Sequence, residues 1–106
     1  MPKYLIQASY TAEGLKGLQK DKASGRRNAV AQAVEGIGGR LEAIYYGLGE
    51  DDVFVIVDAP NIGAVAAMSI AVSASGLVRT RTTALMTVEE VDQALAKSVS
   101  YRAPGR

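Results

Sequence analysis

The chemistry open to this chain is limited by two residue types that it lacks. Its 106 residues include no Cys and no His. Without Cys there is no disulfide, thiol nucleophile or zinc-thiolate site, and without His the commonest metal ligand and general base are missing. Catalysis would rest on Asp, Glu, Lys, Arg, Tyr, Ser or Thr, or on a cofactor. The glycines that suggest a phosphate loop end a predicted helix rather than opening one, so we expect no cofactor; they are Gly36, Gly38 and Gly39.

Three consecutive carboxylates lie in the link Gly49-Glu50-Asp51-Asp52. Clustered carboxylates can bind a hard cation or act as a general base, but Gly and Asp are also favoured in solvated turns for backbone reasons. Three adjacent acids on an extended turn cannot all aim at one ion, so we favour the turn and expect no metal site. Asp52 is the strongest ligand-binding candidate of the three because it opens a predicted buried strand.

Arg79 and Arg81 form a second candidate site. They are two residues apart on a predicted strand and therefore lie on the same face. Together they could hold a carboxylate or phosphate of a small ligand. They could equally form ion pairs with Glu42 or Asp58 on neighbouring strands, or with a partner chain. We favour ion pairing or interface contacts over ligand binding.

The third candidate is a group of tyrosines on the first two predicted strands, and Tyr46 is its strongest member. A tyrosine in a cavity can donate a hydrogen bond or polarise a carbonyl, but it is also an ordinary strand and interface residue. Tyr46 precedes Gly47, where a small residue could let another group approach closely. We favour a structural role for the group, which consists of Tyr4, Tyr10, Tyr45 and Tyr46.

These residues are placed by a predicted β-α-β-β-α-β order followed by a C-terminal helix. The sequence predicts strands at 3–9, 40–48, 52–58 and 77–86. Apolar and polar residues alternate in the first strand, whereas the third is a continuous apolar run. Helical spacing predicts a short helix capped by Thr11, a polar turn at 20–26, a helix with its apolar stripe ending at Ile37, and a helix at 62–74 capped by Asn61. Thr87 and Glu90 form a capping box for the last helix. With right-handed crossovers, this order gives a four-stranded antiparallel sheet with both main helices on one face.

The third predicted strand indicates an oligomer. Val53-Phe54-Val55-Ile56-Val57 is apolar on both faces, yet two crossover helices on one side of a sheet cover only one of those faces. An exposed apolar sheet face is rare in soluble monomers. We expect a second copy to cover it through a two-fold interface; the alternative is a monomer whose own C-terminal helix folds over the sheet.

Length and net charge limit the number of domains and the kinds of partner that the chain can have. The chain fits a single domain at 1–100 with a loose tail at 101–106. A net charge of +1, without a basic stripe, does not favour nucleic acid as a partner. No apolar run has the length of a membrane span and no signal-peptide pattern precedes the first strand. We therefore expect a cytoplasmic protein with no membrane partner.

Four segments carry a resemblance to a known family, together with the link after Gly49: residues 2–11, 38–43, 53–58 and 78–83. In these segments the chain resembles the GYD-domain family of small bacterial and archaeal proteins. In the link, Gly49 and Asp52 match the Gly, Tyr, Asp signature of the family, while Asp51 stands where Tyr is expected. The resemblance implies a ferredoxin-like domain that pairs as a dimeric α/β barrel, and it implies no settled activity.

Three functions fit these observations. The first is an oligomeric module that binds a small molecule or a protein, which agrees with the absence of an acid–base constellation. The second is a small cofactor-independent oxygenase or isomerase of the dimeric α/β barrel type, and the third is a structural assembly subunit. An enzyme should show an enclosed polar pocket that holds Arg79 or Arg81, Tyr46 and a carboxylate. A cavity lined by aliphatic side chains would instead favour the binding module.

Overall fold

Four strands and three helices alternate along the chain, and a computed structural model describes all of residues 1–106. The elements are β1 (Lys3–Tyr10), α1 (Ala12–Gly36), β2 (Arg40–Tyr46), β3 (Val53–Asp58), α2 (Ile62–Ala74), β4 (Val78–Leu85) and α3 (Val88–Leu95). The strands form one sheet in the order β2-β3-β1-β4, and all neighbours are antiparallel. This arrangement confirms the predicted α+β, ferredoxin-like fold.

The core lies between this sheet and helices α1 and α2. Alternate residues of the two central strands point to the helices, with Tyr4 opposite Val57, Ile6 opposite Val55 and Ala8 opposite Val53. All six are buried, together with Val34 of α1 and Val65 of α2. We call this side of the sheet the helix face and the other side the open face. The helix face buries its apolar side chains within one chain, as the period-two pattern predicts.

Helix α1 is two helical segments joined at Lys22. Lys22 has φ of 67° and ψ of 163°, whereas the residues on either side are helical. The break confirms two segments, but the predicted polar turn at 20–26 is wrong in extent because only Lys22 leaves the helical conformation. The second segment ends where predicted, since Gly38 has φ of +82°, a conformation that side chains with a Cβ rarely adopt.

The other helix starts are also as predicted. The Asn61 side chain accepts a hydrogen bond from the Ala64 N–H at 2.9 Å, and α2 spans the predicted 62–74. The Thr87 hydroxyl accepts from the Glu90 N–H at 3.1 Å, and the Glu90 carboxylate accepts from the Thr87 N–H at 2.9 Å. This reciprocal pair confirms the capping box. None of the helices combines the length and apolarity needed to cross a membrane.

Helix α3 stands away from the rest of the chain, and the open face carries no helix. No residue of α3 is buried, and the radius of gyration is 16.9 Å, against about 13 Å for a compact chain of this length. The alternative of a C-terminal helix folded over the sheet is therefore wrong for the single chain. Only Met86 and Thr87 separate β4 from α3, and Thr87 is extended as the N-cap, so the helix is directed outward.

Candidate functional site

A cavity of about 110 Å³ lies between the helix face and the two main helices. Aliphatic side chains form its walls, because this is where the alternating residues of three strands meet the apolar stripes of α1 and α2. Ile6, Val55 and Val78 contribute from the sheet, and Val30 and Met68 from the helices. Such a cavity suits a small apolar group.

The polar groups of this cavity come from Tyr10, Arg26 and Thr80. Arg26 lies on α1 after the break at Lys22, and its guanidinium is 3.7 Å from the Asp21 carboxylate. A neighbouring cavity of about 270 Å³ shares both Tyr10 and Arg26 with the first and is also lined by Asp21. The aliphatic cavity therefore adjoins a more polar compartment, with a guanidinium and a phenol between the two.

Tyr46 lies on the same side of the sheet, opposite Val53 of β3. Burial, followed by hydrogen bonding with the Tyr10 hydroxyl, raises the pKa of Tyr46 to about 12. The charge of Arg26 lowers the same pKa, but by less than burial and Tyr10 raise it. The Tyr46 phenol is therefore held in its neutral form.

Gly47 explains why a small residue follows Tyr46. A Cβ at this position would lie 2.7 Å from the Phe54 ring, which is closer than real Cβ contacts allow. The group that approaches Gly47 is therefore an aromatic side chain of the neighbouring strand. The glycine serves packing within the chain.

Asp51 and Asp52 of the Gly49–Asp52 link make separate contacts. Asp51 is buried on the open face and accepts hydrogen bonds from Gln7 Nε2 at 3.0 Å and Ser9 Oγ at 3.4 Å, and it forms an ion pair with Arg81. Asp52 instead accepts a hydrogen bond from the Tyr10 backbone N–H at 2.8 Å. These contacts agree with the turn interpretation of the link.

Asp52 joins this turn to the end of β1. Besides its carboxylate contact with Tyr10, its backbone N–H donates to the Ala8 carbonyl at 2.8 Å, and its carbonyl accepts from the Gly47 N–H at 3.0 Å. Both carboxylate and backbone are thus engaged in structural hydrogen bonds. The structure gives Asp52 a role in holding the end of β1 and no contact with the cavity.

A second charged cluster lies at the opposite end of the open face. The Asp58 carboxylate contacts Lys3 Nζ at 2.8 Å and Arg40 Nη2 at 2.9 Å, and Lys3 Nζ also contacts Glu42 at 2.8 Å. Hydrogen bonds from Lys3 and then Arg40 lower the pKa of Asp58. The hydrogen bond to Asp58 and, to a smaller extent, the hydrogen bond to Glu42 raise the pKa of Lys3.

The structure separates the four predicted site residues. Arg79 and Arg81 lie together on the open face, opposite Ser9 and Gln7, whereas Tyr46 lies on the helix face. The predicted pairing of these arginines with Glu42 or Asp58 is wrong for this chain. Arg81 stands opposite Gln7, four residues along β1 from the Asp58 partner Lys3, or about 13 Å away at a rise of ~3.3 Å per residue.

Sequence reasoning missed Arg26 as a cavity residue. The predicted turn at 20–26 hid it, because a charged residue in a turn is expected in solvent. Its spacing was nevertheless informative, since Arg26 precedes Val30 by four residues and so lies on the same helical stripe. A charge in line with a buried apolar stripe is the signal that could have found it.

Fold and comparison together place the chain in a family. The four-stranded antiparallel sheet with α1 and α2 on one face defines a ferredoxin-like α+β domain. The GYD domain family model matches residues 4–95 of the 106, and the chain belongs to that family. Comparison with curated proteins and with solved structures gives no match.

Proposed function

We propose that this chain is a homodimeric binding module that takes a small, mainly apolar molecule with one anionic group between its sheet and helices. The observation that carries the proposal is the aliphatic cavity with Arg26 and Tyr10 on its lining. An aliphatic wall recognises the apolar part of a ligand, and a guanidinium recognises a carboxylate or phosphate. An enzyme would be expected to hold Arg79 or Arg81 in an enclosed polar pocket. Both arginines instead lie on the other face of the sheet, so the aliphatic lining favours a binding module over an enzyme.

Binding of a short fatty acid tests the ligand part of the proposal. We expect calorimetry to detect hexanoate, with its apolar chain and carboxylate, and to show much weaker binding of hexan-1-ol. A hydrogen bond to a charged group contributes about 1.5–3 kcal/mol, so Arg26→Gln should weaken hexanoate binding about ten-fold or more. Arg27→Gln is the matched control, since Arg27 does not line this cavity. Equal loss in both variants, or no hexanoate binding, would contradict the proposal.

The dimer part rests on the open face of the sheet. Leu5, Phe54 and Ile56 form its partly exposed apolar centre, and exposed Tyr45 lies opposite Phe54 at the β2 edge. The Asp58 and Asp51 clusters lie at the two ends of this apolar centre. An apolar centre with a polar rim is the pattern of a protein interface. We propose that two copies pack face to face here, as in a dimeric α/β barrel.

Two neighbouring threonines give a matched test of this interface. Thr83 lies on the open face opposite Leu5, and Thr82 lies on the helix face opposite Ile6; both are exposed on the edge strand β4. We expect Thr83→Lys to raise the dimer dissociation constant at least ten-fold in sedimentation or light scattering, because two-fold symmetry places the charge in the interface twice. Thr82→Lys should leave it unchanged. A monomeric wild type at micromolar concentration would overturn the dimer.

A further inference from the structure

Helix α3 is a formed amphipathic element that buries none of its residues within its own chain. Its apolar stripe consists of Val88, Val91 and Leu95, at spacing i, i+3 and i+7, and Leu95 is 76% exposed. Glu89, Glu90 and Gln93 lie off this stripe. A helix of eight residues is too short to be stable alone in water, even with a capping box. Its stripe therefore requires a surface to pack on.

The open face of the same chain is out of reach for this helix. The connection from β4 is two residues long, and Thr87 is extended with φ of −72° and ψ of 162° as the N-cap. The capping box holds this geometry. With α3 and residues 96–106 included, the chain has a long axis of 56 Å. An outward helix on a short, fixed connection is placed to contact another molecule.

The area of the open face points to a second copy as that molecule. Four strands ~4.8 Å apart, each of six to eight residues rising ~3.3 Å, form a face of roughly 450 Å². A stable interface buries about 800 Å² per partner. One side of an eight-residue helix of ~10 Å diameter covers roughly 190 Å². If each chain both gives and receives a helix, the two contacts supply about the area that the sheets alone lack.

We propose that α3 is an exchange arm whose Val88, Val91 and Leu95 stripe packs on the second copy of this chain in the dimer. The inference rests on the proposed homodimer and adds the arm to it. It explains why an amphipathic helix with a complete capping box buries none of its residues in the single chain. The arm and the sheet face then form one continuous interface, because α3 follows directly from β4 at its edge.

Charge substitutions on the two sides of α3 test the arm. We expect Leu95→Asp to raise the dimer dissociation constant at least ten-fold in sedimentation equilibrium. Gln93→Asp adds the same charge on the opposite side of the helix and should leave the constant within two-fold. Neither residue is buried in the single chain, so both variants should retain the wild-type circular dichroism spectrum and melting temperature below the dissociation constant. Equal dissociation constants for Leu95→Asp and wild type would overturn the arm.

Photo-crosslinking identifies which chain the stripe contacts. The photoreactive residue p-benzoylphenylalanine is placed at position 91 on the stripe, or at position 93 as the control, and a tagged chain is mixed with an untagged one. The arm predicts a covalent dimer from position 91 and little product from position 93. A product within one chain, or no product from a wild-type-like dimer, would overturn it.

These measurements separate the arm from the dimer on which it rests. If Thr83→Lys weakens the dimer and Leu95→Asp does not, the sheet interface stands and the arm is wrong. If the wild type is monomeric, the proposed dimer itself fails. If Leu95→Asp lowers the melting temperature of the isolated chain, α3 folds back onto its own domain and the exchange is contradicted.

Discussion

Asp51 and Asp52 are neighbours in sequence with separate structural roles. Asp51 lies on the open face with Arg81, Gln7 and Ser9, and Asp52 accepts a hydrogen bond from the backbone of Tyr10. Adjacent residues at the start of a strand point in different directions, so consecutive carboxylates are separated by the backbone itself. The position where the family signature leads us to expect Tyr thus holds a buried carboxylate that is satisfied by three side-chain donors.

The carboxyl of Asp58 predicts a loss of stability in acid. Hydrogen bonds from Lys3 and Arg40 lower its pKa in the folded chain below the ordinary value of 3.8. Its contribution is therefore present above about pH 4 and is lost as the pH falls through the folded pKa. Urea unfolding between pH 2 and 6 should show this loss, and Asp58→Asn should reduce it. Parallel curves for wild type and variant would contradict the assignment.

The phenol of Tyr46 predicts a loss of stability in alkali. Its folded pKa of about 12 lies above the ordinary 10.0, so the folded chain holds the proton more tightly than the unfolded chain. The resulting stability is fully present below pH 10 and declines as the pH rises towards 12. We expect Tyr46→Phe to flatten this decline and to remove the transition near pH 12 from the tyrosine absorbance at 295 nm. Unchanged absorbance near pH 12 would count against the shift.

Ser69 of α2 and Ser75, which caps the C-terminus of this helix, differ in whether their hydroxyls have hydrogen-bond partners. Ser69 Oγ is buried without a hydrogen-bond partner, whereas Ser75 Oγ donates to the Val72 carbonyl at 2.7 Å and accepts from the Leu77 N–H at 3.2 Å. We expect Ser69→Ala to leave the unfolding free energy unchanged or raise it by up to about 1 kcal/mol, and Ser75→Ala to lower it by about 1 kcal/mol. Thermal unfolding measures both, and a larger loss in Ser69→Ala would show that its hydroxyl has a partner in solution.

At the scale of the element, the break in α1 is what brings Arg26 to the cavity. Lys22 has a positive φ of 67°, and the second helical segment starts from this point in a new direction. Arg26 then follows one turn later, in line with Val30 and Ala33 on the cavity lining. One strained residue therefore positions the only cation of the cavity.

The strain at Lys22 gives a prediction for α1. A non-glycine residue in this region costs about 1–3 kcal/mol, and glycine removes that cost at the expense of unfolded-state entropy. We expect Lys22→Gly to stabilise the chain by about 1 kcal/mol, which raises the melting temperature by roughly 4–8 °C. Lys20→Gly, at a regular helical position, should instead destabilise it by about 0.5–1 kcal/mol. A loss of stability in both variants would mean that Lys22 is unstrained.

At the scale of the whole molecule, we expect helix α3 alone to become more ordered as the protein concentration rises. Backbone amides of the central strands β1 and β3 are bonded within the chain, whereas no residue of α3 is buried in the chain. We expect hydrogen exchange of residues 88–95 to slow as the protein concentration rises through the dimer dissociation constant, while the strands bonded on both sides stay protected throughout. Exchange in α3 that is independent of concentration would contradict an arm that is ordered by a second copy.

Much of the fold was predictable because its signals are local. The alternating pattern of β1, the continuous apolar run of β3, the caps at Asn61 and Thr87, and the left-handed Gly38 each depend on a few neighbouring residues. Local signals also indicated a sheet with apolar residues on both faces, since Phe54 and Ile56 alternate with the core valines. They did not predict that Arg26 and Tyr10 line one cavity or that Arg81 pairs with Asp51, because those arrangements join separate elements.

By itself, the sequence determined the order of elements, the ferredoxin-like sheet and the excess of apolar surface over helical cover. Only the tertiary structure decided which polar residues share a face, that Asp51 and not Glu42 or Asp58 meets Arg81, and that α3 leaves the domain. The physical reason is that propensity, periodicity and capping act over a few residues, whereas strand register and helix direction place side chains from distant segments together. If the register of one strand shifted by one residue, the side chains of that strand would exchange faces and its cavity residues would leave the cavity.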